Sequence, residues 1–287
     1  MRCTLGIDIG TSSSKAVLVG DDGDVIATAV AAHDVRRPHV GWVEMDGEVW
    51  WDECVRLCRE LLEGEPAADV RAVGVSGMGP CVLLADADDM PVRPAILYGV
   101  DTRSGAQIAR MNAELGAEAI VAVGGSALTS QAAGAKIAWI ADEEPDAYAT
   151  ARRLFMPASW LARRLTGAYV LDHQSASQVT PLYDVEAERW HESWWDRYAP
   201  GIEPPALVWA GDIAGRVTEA AAAATGLPVD IPVIAGTIDA WTEAVSVGAH
   251  GIGDLMLMYG TTMFLVATGE ETLRSPSMWT TVGAFPG

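Results

Sequence analysis

Two aspartates, each beside a Gly-Thr turn that follows an apolar run, are the side chains best placed for chemistry in this 287-residue chain. In LGIDIGTSSSKAVLVG (5–20), Asp8 nearly closes the run, and Gly10, Thr11, Ser12, Ser13, Ser14 and Lys15 follow. Backbone N–H groups and hydroxyls in such a turn can hold a phosphate, with a neighbouring carboxylate for the cation that accompanies it. A polar turn after a buried strand is the simpler reading, although a plain hairpin more often uses Asn-Gly or Asp-Gly. The stretch lacks the second glycine of GxxxxGK[ST], so it is not that phosphate loop. In VIAGTIDAWTEA (233–244), Asp239 follows another Gly-Thr turn and opens a helix. A helix N-terminus favours the ionised carboxylate. Exposed at the carboxyl end of a strand, such a group can take the proton of a hydroxyl attacking phosphorus. Plain N-capping would also account for an aspartate there.

A third turn repeats the first. DLMLMYGTTMFLVATG (254–269) sets Gly260, Thr261 and Thr262 between apolar runs, with Met258 where the first hairpin has Asp8. Two such hairpins facing each other can grip a polyphosphate, with a carboxylate from only one of them. Chance likeness of two short hairpins is the alternative.

The elements that must position these residues are legible in outline. Strands are expected at Cys3–Ile9, Lys15–Val19 and Val25–Ala32, with Asp21-Asp22-Gly23-Asp24 as a turn. Asp46 can cap a helix running to Leu62, in which Val49, Trp50, Val55, Leu57 and Leu61 recur at near-helical spacing. Strands follow at Val70–Val75 and Cys81–Ala85, and Arg93–Gly99 looks extended. Three strands, a helix and a strand is an α/β order with a mixed sheet. From Asp101 to Ala224 the pattern is mostly helical, with helices at Ala133–Pro145, Ala158–Gly167 and Trp190–Pro200 ended by Gly or Pro. Ile231–Ala249 then reads as strand, glycine turn and helix.

Composition narrows the function. Half the residues are apolar, enough for a sizeable core, and the net charge of −20 argues against nucleic acid as a partner. An anionic ligand would have to be held by local amides and a cation rather than by the overall field. Cys3, Cys54, Cys58 and Cys81 have no metal-ligand spacing; Cys54 and Cys58 fall on one helical face as buried thiols, which suits a reducing cytoplasm. The longest uncharged stretch, Ala119–Ala135, is interrupted by glycines and hydroxyl residues, so no membrane span is expected. His33, His39, His173, His191 and His250 share no ligand spacing.

Taken together, GIDIGTSSSKAVL (6–18), GWVEMDGEVWW (41–51), YGVDTRS (98–104), RRLTGAYVLDHQSAS (163–177), VIAGTIDA (233–240) and MYGTT (258–262) resemble the FGGY family of carbohydrate kinases, in family order along nearly the whole chain. The resemblance implies an α/β, ribonuclease-H-like lobe of the actin, Hsp70 and sugar kinase group, with a mixed β-sheet flanked by helices. It implies ATP-dependent phosphorylation of a sugar or polyol hydroxyl in a cleft between two lobes, in a cytoplasmic protein that often forms homodimers. By position, Asp239 would be the general base and a substrate contact, and Asp8 would hold or orient the Mg²⁺–phosphate group. Gly10, Thr11, Ser12, Ser13 and Lys15, with Gly260, Thr261 and Thr262 opposite, would face the phosphates. Met78, Tyr98, Asp101 and Arg103 would line or brace the sugar pocket.

Departures from the family pattern matter as well. Xylulose kinases usually carry Gln-Met-His-Gly where this chain has SGMGP (76–80), and the Arg-Glu pair of glycerol kinases is replaced by Met78-Gly79, which disfavours glycerol. Tyr98 stands where many members have Trp. The nearest resemblance is to xylulose-kinase-like members. The glycine-rich adenosine-binding motifs expected after TTVGAFPG do not appear, so residues 1–248 would form the first lobe and 249–287 the start of a truncated second. Such a polypeptide alone is expected to turn over ATP poorly. Two alternatives remain open: a nucleotide-switched interaction protein of the actin or Hsp70 kind, and a catalytically silent sugar-binding relative.

Overall fold

Alternating burial organises the first sheet. In β1 (Arg2–Ile9), Cys3, Leu5, Ile7 and Ile9 are buried on one face, and Asp8 stands on the other. In β2 (Ser13–Gly20), Ser14, Ala16 and Leu18 are buried, which leaves Lys15 on the face of Asp8, its direct partner in the antiparallel register. β3 (Val25–Ala32) completes the meander against β2. The computed structural model describes residues 1–65, 68–259 and 263–286.

Asp46 caps α1 (Gly47–Gly64), accepting the N–H of Glu48 at 3.1 Å. The helix lays Trp50, Cys54, Leu57, Cys58 and Leu61 against the sheet. Enclosing side chains such as Leu57 and Leu61 stabilises the fold by about 1.5–3 kcal/mol each. β4 (Asp69–Gly77) then runs parallel to β1, with Ser76 opposite Asp8.

Two buried cores follow from the helical stretch. α2 (Ala133–Glu143) is the centre of one, with Ile137, Trp139 and Ile140 against Leu154 and Tyr183. α3 (Pro157–Thr166) sends Trp160, Leu161 and Leu165 into the core that α1 covers. The chain then returns to the sheet as β5 (Ile213–Arg216), β6 (Pro232–Ile234) and β7 (Thr237–Ile238), ahead of α4 (Asp239–Ser246). The result is a seven-stranded sheet in the order β5-β6-β4-β1-β2-β3, with β7 also pairing with β4. β4 runs parallel to β1, and β6 and β7 run parallel to β4, while β2, β3 and β5 are antiparallel additions, so the sheet is mixed. β8 (Leu255–Tyr259) and β9 (Met263–Ala267) form a separate antiparallel hairpin.

Some boundaries differ from the sequence expectation. The helix expected from Trp190 begins at Glu192, and Arg189–Trp190 instead pairs with Tyr183–Asp184. Trp190 gives its indole N–H to the Pro205 carbonyl at 2.8 Å and meets Tyr183 edge to face, so tertiary contacts override helical spacing. In the extended stretch before Gly99 only Ala95–Ile96 is strand, paired with Glu44–Met45. After β9 the chain folds back onto earlier segments. Thr280 N–H donates to Ser126 Oγ at 2.6 Å, Val282 N–H to Ser177 Oγ at 3.1 Å, and Ala210 N–H to the Ala284 carbonyl at 3.2 Å. All four cysteines are buried and free. Among the described residues no helix is long and apolar enough to cross a membrane.

Candidate functional site

The two aspartates meet because three strand ends do. Gly236 has φ +70°, and a Cβ there would lie 2.0 Å from the Val75 carbonyl oxygen, so a glycine is required for β7 to close on β4. Thr237 and Ile238 then pair with Ser76 and Gly77, which delivers Asp239 beside the carboxyl ends of β4 and β1. Ser76 Oγ donates to Asp8 Oδ1 at 2.8 Å and lies 3.1 Å from Thr242 Oγ1. Thr242 Oγ1 in turn lies 2.8 Å from the Asp239 carbonyl oxygen. Two hydroxyls thus connect Asp8 to the first turn of α4.

Asp239 differs from its sequence expectation. An exposed, ionised group was the expectation at a helix N-terminus; the residue is half-buried, and its carboxyl is pushed up to about 6. Burial is the main cause, and repulsion from Asp8 is the next; the Ala240 N–H, donated at 2.8 Å, opposes them, and Glu243 adds to them. Nor does Asp239 cap the helix: Ile238 holds that position. Glu243, one turn along α4, is also raised, by burial and then by Asp8, with Lys15 opposing. Asp8 therefore acts on the carboxyls of both Asp239 and Glu243, and Lys15 on that of Glu243.

The turn beside Asp8 is tight. Gly10 N–H donates to the Ser13 carbonyl at 3.1 Å, leaving Thr11 and Ser12 at the tip. Neither tip N–H has an acceptor among the described residues. Ser12 and Lys15 are exposed, Gly10, Thr11 and Ser13 half-buried. Thr11 Oγ1 shares a hydrogen bond of 3.0 Å with the Tyr98 hydroxyl, which ties the turn to the segment expected to face a sugar. Gly260, Thr261 and Thr262 lie outside the described residues, between the ends of β8 and β9.

Among the residues expected to line or brace a sugar pocket the structure separates two kinds. Tyr98 is half-buried, with its hydroxyl against Thr11. Met78 is enclosed, with its N–H donating to the Ile9 carbonyl at 2.7 Å. Asp101 and Arg103 have fully enclosed side chains: Arg103 pairs with Asp101 at 2.7 Å and Glu44 at 2.6 Å, and its guanidinium lies 4.1 Å from the Trp42 ring centre and 4.8 Å from that of Trp139. Asp101 also accepts the Val43 N–H at 2.6 Å. These contacts fasten the 41–44 segment to the 98–103 segment. Neither side chain is exposed to solvent.

The model of the FGGY family of carbohydrate kinases, N-terminal domain, matches residues 3–246. The chain belongs to this family. It is 29% identical over 273 residues to the xylulose kinase of Escherichia coli K12, covering 95% of this chain and 55% of that protein. Against the glycerol kinase of a Janthinobacterium species it is 31% identical over 290 residues, covering 97% of this chain and 57% of the relative. The crystal structure of xylulose kinase from Rhodospirillum rubrum superposes with a TM-score of 0.94 at 30% identity, covering all of this chain and 59% of that one. The chain thus spans little more than half the length of these relatives, and its ribonuclease-H-like lobe is the one they share.

This FGGY chain also carries polar groups that the sequence did not single out. Lys136, in the apolar run AGAKIAWI of α2, is enclosed and donates to the Leu97 carbonyl at 2.6 Å and the Tyr98 carbonyl at 2.7 Å. Burial pushes its ammonium down to about 8, with Asp101 among the groups that oppose the fall. Thr237 Oγ1 donates to Asp172 Oδ1 at 2.7 Å just ahead of Asp239; Asp172 is buried and raised to about 6 by that burial. A lone lysine in an apolar helix is the one local signal here. The partners of Lys136, Ser76 and Thr237 are all distant in sequence.

Proposed function

We propose that this chain supplies the acceptor-binding half, and one phosphate-facing turn, of an ATP-dependent kinase acting on a hydroxyl of a small sugar or polyol, with xylulose or a related ketose as the acceptor. The observation that carries this reading is the meeting of Asp8 and Asp239 at three strand ends, where Ser76 Oγ donates to Asp8 and lies 3.1 Å from Thr242 Oγ1 in the first turn of α4. Asp239 is the general base. A carboxyl near 6 is ionised at neutral pH and more basic than an ordinary aspartate, so it accepts the acceptor hydroxyl's proton as the oxygen attacks phosphorus. Half-burial keeps bulk water from competing for it.

Asp8 has one oxygen fixed by Ser76, and the residues beside it suit Mg²⁺. That ion binds through one or two carboxylates plus phosphate oxygens and water, and among the described residues no cluster of three or more His, Cys, Asp or Glu is arranged as a self-contained metal site. Mg²⁺ would neutralise charge on the phosphate oxygens. The Thr11 and Ser12 N–H groups, with the Ser13 hydroxyl and Lys15, would hold those oxygens; Gly260, Thr261 and Thr262, for which the same role is expected, lie outside the described residues. Tyr98 offers a ring face for sugar C–H groups, while Asp101 and Arg103 brace its segment. Met78-Gly79 gives no charged pair for a triol, which favours a ketose over glycerol.

ADP release with MgATP and a panel of pentuloses, hexuloses and glycerol is the test, using a kinase of the relatives' full length that carries this sequence, and its Asp239→Ala variant. Sugar-dependent release is expected, with kcat lowered by about 100-fold or more in the variant. An unchanged kcat would remove Asp239 from the role of base; release that ignores the sugar would favour a nucleotide-switched protein.

A further inference from the structure

Behind the turn at Gly10, His33 and Glu53 form an enclosed pair, with side chains 6% and 11% exposed. His33 follows the last residue of β3, and Glu53 belongs to α1. Nδ1 lies 2.9 Å from Glu53 Oε2, and Nε2 lies 3.0 Å from the Gly10 carbonyl oxygen. A carbonyl oxygen only accepts, so Nε2 carries a proton in this arrangement. Ser14 Oγ donates to the same Glu53 oxygen at 2.6 Å, and the His33 N–H donates to the Ser12 carbonyl at 3.1 Å. The turn is therefore gripped from behind at Gly10, Ser12 and Ser14.

In a trans peptide the carbonyl and the next N–H point in opposite directions. Drawing the Gly10 oxygen back to His33 turns the Thr11 N–H away from it, and that N–H has no acceptor among the described residues. We propose that His33 and Glu53 are positioning residues that set the Gly10–Thr11 peptide so that the Thr11 N–H is presented to a phosphate oxygen of a nucleoside triphosphate. The inference rests on the kinase reading above and adds to it how the turn is aimed. A pair that merely cements α1 to the sheet would support stability and leave anion affinity untouched.

Side-chain reach separates the two roles. In His33→Gln the amide nitrogen can occupy the place of Nε2 and donate to Gly10; in His33→Asn the shorter amide reaches only toward Glu53. The ¹⁵N-labelled chain is titrated with magnesium tripolyphosphate while the Thr11 and Ser12 amide signals are followed. Saturable shifts are expected for the unsubstituted chain and His33→Gln, with the dissociation constant of His33→Asn weaker by roughly threefold to tenfold, the worth of one hydrogen bond. Equal constants in all three would overturn the positioning role alone. No saturable shift at Thr11 in the unsubstituted chain would overturn the phosphate-facing assignment, and the positioning role with it. Should His33→Asn fail to give a folded spectrum, Glu53→Gln against Glu53→Ala repeats the comparison, since only the former keeps a partner for Nδ1; equal constants for that pair would overturn the role in the same way.

Discussion

Asp239 carries a cost that follows from its placement. Its carboxyl is near 6 in the folded chain, against about 3.9 for an unfolded aspartate. The folded state holds that proton more tightly, so the contribution of Asp239 to stability is full below about pH 4 and is lost as pH rises to about 6. Asp172, raised to about 6 for the same main reason, acts in the same direction. Asp239→Asn removes the charge while its amide oxygen can still accept the Ala240 N–H. Thermal melts should therefore show the Asp239→Asn variant gaining on the unsubstituted protein between about pH 4 and 6.5, then holding a lead of at most about 3 kcal/mol. A difference that is flat across that range would refute a buried, perturbed carboxyl. In a working kinase the same group predicts an acidic limb in the pH profile of kcat/KM near pH 6.

At the scale of elements, what the site needs is rigidity in the 98–103 segment, which has no regular structure of its own at Tyr98. Lys136 on α2 holds the carbonyls of Leu97 and Tyr98, and the Arg103 cluster holds the segment from the other side. Lys136→Met fills similar volume and orphans both carbonyls. It should lower stability by roughly 2–4 kcal/mol in urea unfolding, and raise KM for the sugar more than KM for ATP. Since folding lowers the Lys136 pKa to about 8, its ionisation penalty is relieved between about pH 8 and 10, and the gap between wild type and variant should widen there. The parts of this architecture with a local period were legible in the sequence. β1 to β3 alternate, Asp46 caps α1 as its position foretells, and the Gly10-Thr11 turn falls between β1 and β2, whereas Thr237 of the second Gly-Thr belongs to β7, which leads into α4. The supports of the site were not legible, because each joins residues far apart: His33 to Glu53, Lys136 to Tyr98, Thr237 to Asp172. Nothing in the neighbourhood of His33 distinguishes it from the four other histidines.

For the whole molecule, the decisive feature is the order of strands. β4 sits between β1 on one side and β6 and β7 on the other, so residues far apart in sequence, Asp8 and Asp239 among them, come to its carboxyl edge. The net charge of −20 means that a polyphosphate gains nothing from the overall field at close range, which puts the burden on the amides of the turn, Lys15 and a cation. It also makes the repulsion between Asp8 and Asp239 the clearest signature of a shared cleft, since no ligand is needed to observe it. The direct measurement is a ¹³C-detected titration of the Asp239 carboxyl in the chain with Asp8 intact and with Asp8→Asn. A common cleft predicts a midpoint near 6 that falls when the Asp8 charge is removed. A midpoint in the ordinary aspartate range, or one indifferent to Asp8→Asn, would contradict it.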